Sequence, residues 1–262
     1  PTAEKTGLPF ASENEGRMHA CGHDLHTSML LGSARILNEI KEEFAGTVRL
    51  LFQPGEEISK GAEYLISQGA MDNVRMGMGI HVDPLSPVGV IRCKAGPDWA
   101  AVDHFIIKIQ GTGAHGATPQ NGCDATIAAA AMVMGLQTMA SRECDPMKPL
   151  VVTVGSMHSG SAFNIISEEA FLEGTCRSFD TDVYDLIPEA MERIAVNIAQ
   201  SFKCTAEVQL DRLSKPLIND EKAYELLHAS AMKVMDHPEN WLPAKQEMIG
   251  EDFAFYGQYA PC

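Results

Sequence analysis

The central part of the chain begins with Val102-Asp-His-Phe-Ile-Ile-Lys-Ile-Gln110. Its β-branched and apolar residues predict a strand, which a glycine-rich turn follows at 111–116. The later elements are predicted as a long helix at 121–141 with Asp124 near its start, strands at 150–157 and 169–179, an amphipathic helix at 183–202 and a strand at 204–210. The order β-α-β-β-α-β is typical of a ferredoxin-like sandwich.

The flanking segments have the alternating pattern of an α/β domain. The elements predicted there are a helix at 27–44, a short buried strand at 47–52, a helix at 61–68, a short strand at 77–82, and, after Pro216, a helix at 220–236 before the loop Gly250-Glu-Asp-Phe253. The predicted fold class is therefore α/β, with an α/β domain interrupted by an inserted α+β domain. The predicted parts are 1–98 for the first part of the α/β domain, 99–212 for the insertion and 213–262 for an incomplete second part.

Composition excludes several classes of partner. The chain has 262 residues and a formal net charge of −15, which argues against a nucleic-acid or anionic-membrane surface, since both require clustered Lys and Arg. No stretch approaches the roughly 18 consecutive apolar residues of a membrane helix; the Ala- and Met-rich run from Ala125 to Met139 is predicted to be a buried helix. Pro1 to Arg17 lacks the pattern of a signal peptide. Seven cysteines without C-x-x-C spacing favour free thiols and a cytoplasmic location.

The densest group of metal-binding side chains is His19-Ala-Cys-Gly-His-Asp-Leu-His26. Cys21 and His23 alternate, so that in an extended or loop backbone both can face one point. Thiolate and imidazole suit zinc and other late first-row ions, and Asp24 is placed to orient an imidazole. The alternative is a buried cysteine beside histidines that only cap the following helix.

Two further positions carry candidate ligands at predicted strand ends. Gln53-Pro-Gly-Glu-Glu57 holds adjacent carboxylates after the strand at 47–52, and Gly79-Ile-His-Val82 places His81 at the end of another. Ligands of open α/β sheets gather at the carboxyl ends of strands. Adjacent acids suit a division of labour in which one binds metal and the other moves protons. The alternatives are a solvated acidic turn and a structural histidine.

With these motifs the chain strongly resembles the aminoacylase-like metallopeptidases, in the branch of hippurate hydrolases, N-acyl-amino-acid amidohydrolases and plant auxin-conjugate (IAA-amino acid) hydrolases. The matching stretches, in the family's order, are Met18-His-Ala-Cys-Gly-His-Asp-Leu-His26, Leu51-Phe-Gln-Pro-Gly-Glu-Glu57, Gly113-Ala-His-Gly-Ala-Thr-Pro119, Ser159-Gly-Ser-Ala-Phe-Asn164 and Gly250-Glu-Asp-Phe253.

The resemblance implies a site with two divalent metal ions, Mn²⁺ or Zn²⁺ or else Co²⁺ or Ni²⁺. Cys21 would bridge the ions, and His23, Glu57 and His81 would complete the set. Glu56 would be the general base that activates metal-bound water, whose hydroxide attacks the amide carbonyl, and would then pass the proton to the departing amine. Glu251 and Asp252 are expected to lie near the metals without binding them, or to cap a following helix.

The inserted domain is implied to act as a lid and as the contact of a homodimer. His115 would stabilise the oxyanion in a partner subunit's active site, and Asn164 and Arg177 match positions that hold the carboxylate of a small N-acyl amino acid substrate. A guanidinium group suits a carboxylate. From the residues alone, His115 and Asn164 are equally compatible with turn residues, and Arg177 with a strand-end charge.

The chain departs from the family pattern at both ends. Family members carry an Arg-x-Asp-x-Asp-Ala-Leu segment that should end at Pro1, and a final metal-binding His after Cys262, so the chain is expected to be truncated at both ends. Related alternatives are an N-acetyl-diaminopimelate deacetylase or a dipeptidase with the same site. Alternatives from other classes are a non-catalytic relative with a vestigial site and a structural zinc protein; the adjacent glutamates argue against the zinc protein.

Overall fold

The computed structural model describes residues 2–262, which form two compact units. The N-terminal unit consists of the residues up to Pro54 together with Met78–Val90, and the sandwich unit consists of Gly55–Gly77 and Ile91–Cys262. Pro1, where the expected N-terminal segment would join, lies outside the described residues. None of the helices in the described range has the length and apolar character needed to cross a bilayer.

The N-terminal unit contains one helix in its described part, α1 (His23–Glu39). It starts after Gly22, whose φ of 78° lies in the left-handed region that glycine adopts without strain. Asp24 in its first turn suits the positive end of the helix dipole. The predicted helix at 27–44 is thus shifted towards the N-terminus, and none of the residues of α1 is buried.

The strands predicted at 47–52 and 77–82 are wrong. Neither run is a strand in the described chain, and Val48 and Phe52 are 50% and 46% exposed, so the predicted burial of the first run is wrong as well. An apolar run becomes a strand only when a neighbour forms a hydrogen-bonded ladder with it, and it is buried only when another layer covers it. The local sequence contains neither the neighbouring strand nor the covering layer.

The sandwich unit begins with a 3₁₀ turn at Glu56–Ile58 and the helix α2. In chain order its elements are α2 (Gly61–Ser67), β1 (Ile91–Arg92), β2 (Gly96–Trp99), β3 (Ala101–Gln110), β4 (Ala114–His115), α3 (Ala125–Thr138), β5 (Leu150–Ser159), β6 (Ile165–Ile166), β7 (Glu169–Ser178), α4 (Thr181–Ser201), β8 (Thr205–Ser214), β9 (Leu217–Asn219), α5 (Glu221–Ala231) and β10 (Trp241–Leu242).

The predicted β-α-β-β-α-β order is confirmed. β3, β5, β7 and β8 form a four-stranded antiparallel sheet in the order β5-β7-β3-β8. Alternate residues of β3, from Ala101 to Ile109, are buried, as expected for a sheet with one covered face. The covering layer is α3 and α4, whose Met132, Leu136, Ile187 and Met191 join the core.

The helix predicted at 121–141 is shorter in the structure. The Asp124 side chain caps α3 by accepting hydrogen bonds from the backbone N–H groups of Thr126 and Ile127, which sets its start. Its end passes into a π-helical turn at Met139–Glu143. The helix is also not buried on all sides, because Ile127 and Met134 are 51% and 72% exposed.

Four short strands precede or follow the sandwich along the chain and pair with one another. β2 pairs with β9, and the Asn219 side-chain amide donates to Asp98 Oδ2 (3.1 Å) across this pair. β1 pairs in parallel with β10. Asp220 caps α5, which ends at Ala231 and so is shorter than the predicted helix at 220–236. The predicted parts 1–98, 99–212 and 213–262 remain a prediction.

Candidate active site

Cys21 and His81 are in contact within the N-terminal unit. The Cys21 Sγ lies 3.3 Å from the His81 Nε2. The Nδ1 of His81 lies 2.7 Å from the Val82 carbonyl oxygen, and because a carbonyl can only accept, this nitrogen carries the proton. In the neutral ring Nε2 is therefore the unprotonated nitrogen, and it is directed at the thiol.

This contact has the dimensions of a metal-binding pair. With a Zn–S length of about 2.3 Å and a Zn–N length of about 2.0 Å, ligand angles of roughly 90–110° place sulfur and nitrogen about 3.0–3.5 Å apart. The observed 3.3 Å lies in that range. Sulfur and imidazole nitrogen are also the donors that late first-row ions prefer. The residues present thus fit the metal that the sequence implies.

His26 is a residue of this group that sequence reasoning missed. Its Nε2 accepts a hydrogen bond from the Val82 backbone N–H (3.0 Å), and its ring contacts those of His81 and His23, with centroids 4.6 Å and 5.6 Å away. Burial, and then the neighbouring His81 and His23, lower the pKa of His26. Its place three residues after His23, on the same side of α1, was the signal that could have identified it.

Glu56 belongs to a carboxylate cluster in the sandwich unit. One oxygen atom from each of Glu56, Glu251 and Asp252 lies within 4.8 Å of the others. Glu57 follows in the same 3₁₀ turn and is exposed. Burial, followed by the charges of Glu251, Asp252 and Glu57, raises the pKa of Glu56 to about 7. A carboxyl group with a pKa near neutrality can both take up and release a proton.

The other two acids of the cluster have structural partners. Asp252 is buried, and its Oδ2 accepts a hydrogen bond from the Ala62 N–H (3.0 Å) in the first turn of α2. Glu251 accepts from the Phe253 N–H (3.1 Å) and so caps the 3₁₀ helix that follows. The expectation that these residues cap a following helix is confirmed for Glu251. The bond from Ala62 to Asp252 joins positions 190 residues apart, which no local pattern could reveal.

Gly250 connects this cluster to the sheet. A Cβ atom at this position would lie 2.2 Å from Val102 Cγ2 and 2.8 Å from Ser214 Oγ, so only glycine fits. Val102 is paired with Arg177 on one side and with Ser214 on the other. The segment that carries Glu251 and Asp252 is therefore packed on the end of the sheet that carries Arg177.

Arg177 is half-buried at that end of the sheet. Burial lowers the pKa of its guanidinium, and the charge of Asp103 opposes this effect. Asp103 is fully buried beneath the sheet and forms an ion pair with Arg212, with 3.2 Å between Nε and Oδ1. Sequence reasoning did not single out this pair.

His115 and Asn164 lie together at the opposite end of the sheet. β4 pairs with β6, and the Gly116 N–H donates to the Asn164 carbonyl oxygen (2.8 Å). β7 begins beyond Asn164 and reaches Arg177 only near its other end, so Arg177 lies eight residue steps along the strand from Glu169, or roughly 25 Å. Within one chain, Asn164 and Arg177 therefore do not meet at one carboxylate.

Comparison with known proteins shows what this chain is similar to. The family model described as peptidase family M20/M25/M40 matches residues 1–262. The N-acetyl-L-cysteine deacetylase of Bacillus subtilis is 40% identical over 265 residues, which cover 100% of this chain and 62% of that protein. The N-acyl-L-amino acid amidohydrolase of Geobacillus stearothermophilus is 40% identical over 220 residues, which cover 84% of this chain and 60% of that protein.

A solved structure has the same fold over the whole chain. The Bacillus subtilis YXEP protein, described as a dinuclear metal-binding peptidase of the M20 family, is 35% identical with a TM-score of 0.84. The match covers 100% of this chain and 67% of that one. The chain thus spans about three fifths to two thirds of the length of these relatives. The resemblance drawn from the motifs is confirmed.

Proposed function

We propose that the protein is a metal-dependent amidohydrolase acting on N-acyl amino acids, since this chain belongs to peptidase family M20/M25/M40. The observation that carries the proposal is the contact between Cys21 and His81, in which an unprotonated imidazole nitrogen is directed at a thiol. The Bacillus subtilis YXEP protein of this family is described as dinuclear, and related proteins are named for the hydrolysis of N-acyl amino acids. The products would be a carboxylic acid and a free amino acid.

The proposed ligands of the two metal ions are Cys21, which would bridge them, and His23, Glu57 and His81. Glu57 is assigned from the motif alone. Mn²⁺ or Zn²⁺ is the proposed metal, and Co²⁺ or Ni²⁺ would suit the same donors. When bound, such ions polarise the amide carbonyl and lower the pKa of water.

Glu56 is the proposed general base. It would take a proton from the attacking water and deliver it to the nitrogen of the departing amine. The raised pKa of its carboxyl group, about 7, suits a residue that must accept and then release a proton near neutral pH. Glu251 and Asp252 contribute their negative charges to that pKa, and their backbone segment fixes the position of the cluster.

Substrate recognition is proposed to involve two copies of the chain. Arg177 lies at the Glu251 end of the sheet and would bind the substrate carboxylate in its own subunit. His115 and Asn164 lie at the far end, so they would reach the active site of a second subunit, where His115 would stabilise the oxyanion and Asn164 would help to hold the carboxylate. Their separation from Arg177 within one chain supports this arrangement.

The surface of α3 supports a homodimer formed through residues 99–212, which would also serve as the lid. No charged residue occurs in Ala125–Thr138, and Ile127 and Met134 are exposed on it. Exposed apolar patches of this kind mark interaction surfaces. A cytoplasmic location is also proposed, since none of the seven cysteines, all of which the structure describes, forms a disulfide.

The test compares Glu56→Gln with Glu57→Gln in the full-length protein. N-acetyl-L-cysteine, N-acetyl-L-methionine, hippurate and an indole-3-acetyl amino acid form the substrate panel, with N-acetyl-diaminopimelate and a dipeptide as the alternatives. Glu56→Gln should lower kcat about 10²–10⁴-fold while the metal content is unchanged. Glu57→Gln should lose metal as well as turnover. No turnover of any substrate by the metal-loaded wild type would favour a non-catalytic relative instead.

A further inference from the structure

We infer, on the basis of the proposed function, that His26 is a positioning residue that sets the orientation of the metal ligand His81 without binding metal itself. Nothing in the sequence motifs assigned it a role. The contacts that carry the inference all lie within the N-terminal unit, between the start of α1 and the segment that contains His81 and Val82.

Val82 is held by two imidazole rings, one on each of its backbone polar groups. Its N–H donates to His26 Nε2 at 3.0 Å. Its carbonyl oxygen accepts from His81 Nδ1 at 2.7 Å. The first bond fixes the peptide plane between His81 and Val82, and the second turns the His81 ring so that Nε2 is directed at Cys21 Sγ, 3.3 Å away.

The hydrogen bonds also fix where the protons are. A backbone N–H can only donate, so His26 Nε2 must be unprotonated, and in the neutral ring the proton lies on Nδ1. The lone pair of His26 Nε2 is therefore occupied by the Val82 N–H. This occupation distinguishes His26 from His81, whose Nε2 faces a thiol.

Packing reinforces the arrangement. The rings of His26 and His81 meet edge to face, with centroids 4.6 Å apart and planes at 65°. Gly22 brings the start of α1 against the same residue, since a Cβ atom there would lie 2.6 Å from Val82 Cγ2. Because no residue of the unit is buried in the described structure, these contacts, rather than a core, determine the direction of the His81 ring.

Partners that orient a metal-binding histidine typically change metal affinity about 10–100-fold when they are removed. The experiment measures the affinity of the full-length protein for Co²⁺ by competition with a chelator. It also records the near-ultraviolet and visible spectrum of the Co²⁺-loaded protein, which should contain the thiolate-to-cobalt charge-transfer band of Cys21. The variants are His26→Leu, which has no acceptor, and His26→Gln, whose amide oxygen can reach the position of Nε2.

For His26→Leu we expect a loss of affinity of about 10–100-fold and a shifted cobalt spectrum. His26→Gln should restore both towards the wild type with the metal count unchanged. Loss of a metal ion in the glutamine variant would overturn the inference, because His26 would then be a ligand. Unchanged affinity and spectrum in the leucine variant would also overturn it.

Two controls keep the outcomes separate. If His26→Leu does not fold, His26→Asn gives the same comparison, since its shorter amide does not reach the Val82 N–H. Wild-type protein that binds no Co²⁺ would overturn the proposed function itself. Wild-type protein that binds Co²⁺, together with a leucine variant that binds it equally well, would overturn only the role of His26.

Discussion

The two units of the molecule are stabilised in different ways. The sandwich unit has a continuous core of 20 buried residues between its sheet and its two covering helices. In the N-terminal unit, none of the described residues is buried, and apolar residues of α1 such as Leu31 and Ile36 are 57% and 61% exposed. Packing therefore determines the sandwich, whereas hydrogen bonds and side-chain contacts order the group around His81. Mutations and metal removal should affect the two units differently.

The largest difference is expected between their ion pairs. Arg212→Met leaves the fully buried Asp103 without its partner and should lower the free energy of unfolding by about 3–5 kcal/mol at neutral pH. Arg35→Met removes an exposed pair with Glu39 in α1 and should cost less than about 0.5 kcal/mol. Urea titrations measure both values, and equal losses would contradict the comparison.

The pH dependence of the Arg212→Met variant gives a second test. Burial already raises the pKa of Asp103 above its ordinary 3.8, and Arg212 opposes that shift. Without Arg212 the folded-state pKa should rise further, so the folded protein binds the proton more tightly than the unfolded chain. The loss of stability should therefore be smallest below about pH 4 and should grow as the pH rises through the folded pKa of Asp103.

Core truncation comes next in size. Leu172→Ala removes a fully buried side chain from β7 and should cost about 2–5 kcal/mol. Leu31→Ala, the matched change in α1, should stay within about 0.5 kcal/mol because that side chain is already exposed to water. A large effect of Leu31→Ala would show that the N-terminal unit depends on packing after all.

Metal removal should act mainly on the N-terminal unit. A chelator should increase amide hydrogen exchange at 19–26 and 78–82 while leaving the core strands β3 and β7 unchanged. The local stabilisation is about 2.7 kcal/mol when the metal is present at 100 times its Kd. Mass spectrometry of exchanged peptides makes this comparison, and uniform loss of protection in both units would argue against it.

The smallest of these effects concerns the connection between the carboxylate cluster and the sheet. Gly250→Ala forces a Cβ atom into Val102 Cγ2 and should cost about 1–3 kcal/mol. Gly257→Ala, where no atom lies within 4 Å of the added Cβ, is the matched control. If the two changes have equal effects on stability, the close packing of Gly250 is not structurally important.

The sequence predicted the sandwich well because its signals are local. The apolar patterns of β3 and α3 were enough to predict a strand and a helix, although the helix begins at Ala125, after its Asp124 cap, and not at residue 121. The runs at 47–52 and 77–82 failed because an apolar run does not contain its own pairing partner. The pattern was sufficient for the four long strands of the main sheet, whereas the short paired strands β1, β2, β9 and β10 were not predicted.

The residues of the candidate site show the same difference between local signals and long-range contacts. Cys21 and His23 were identified because they lie within one short motif. The bond from Val82 to His26 joins residues 56 positions apart, and the bond from Ala62 to Asp252 joins residues 190 apart. Such contacts form only in the folded chain, so no regular spacing of residues in the sequence indicates them. The separation of Asn164 from Arg177 likewise emerges only once both ends of β7 are located.

The proposed function depends on a dinuclear metal site, and a measurement of the metal content per chain tests whether this chain carries one. Elemental analysis of the dialysed full-length protein should find two divalent ions per chain, as in the dinuclear relative, and markedly fewer in the Cys21→Ala variant. Wild-type protein that retains no metal, and whose Cys21 reacts readily with an alkylating reagent, would contradict the proposed function.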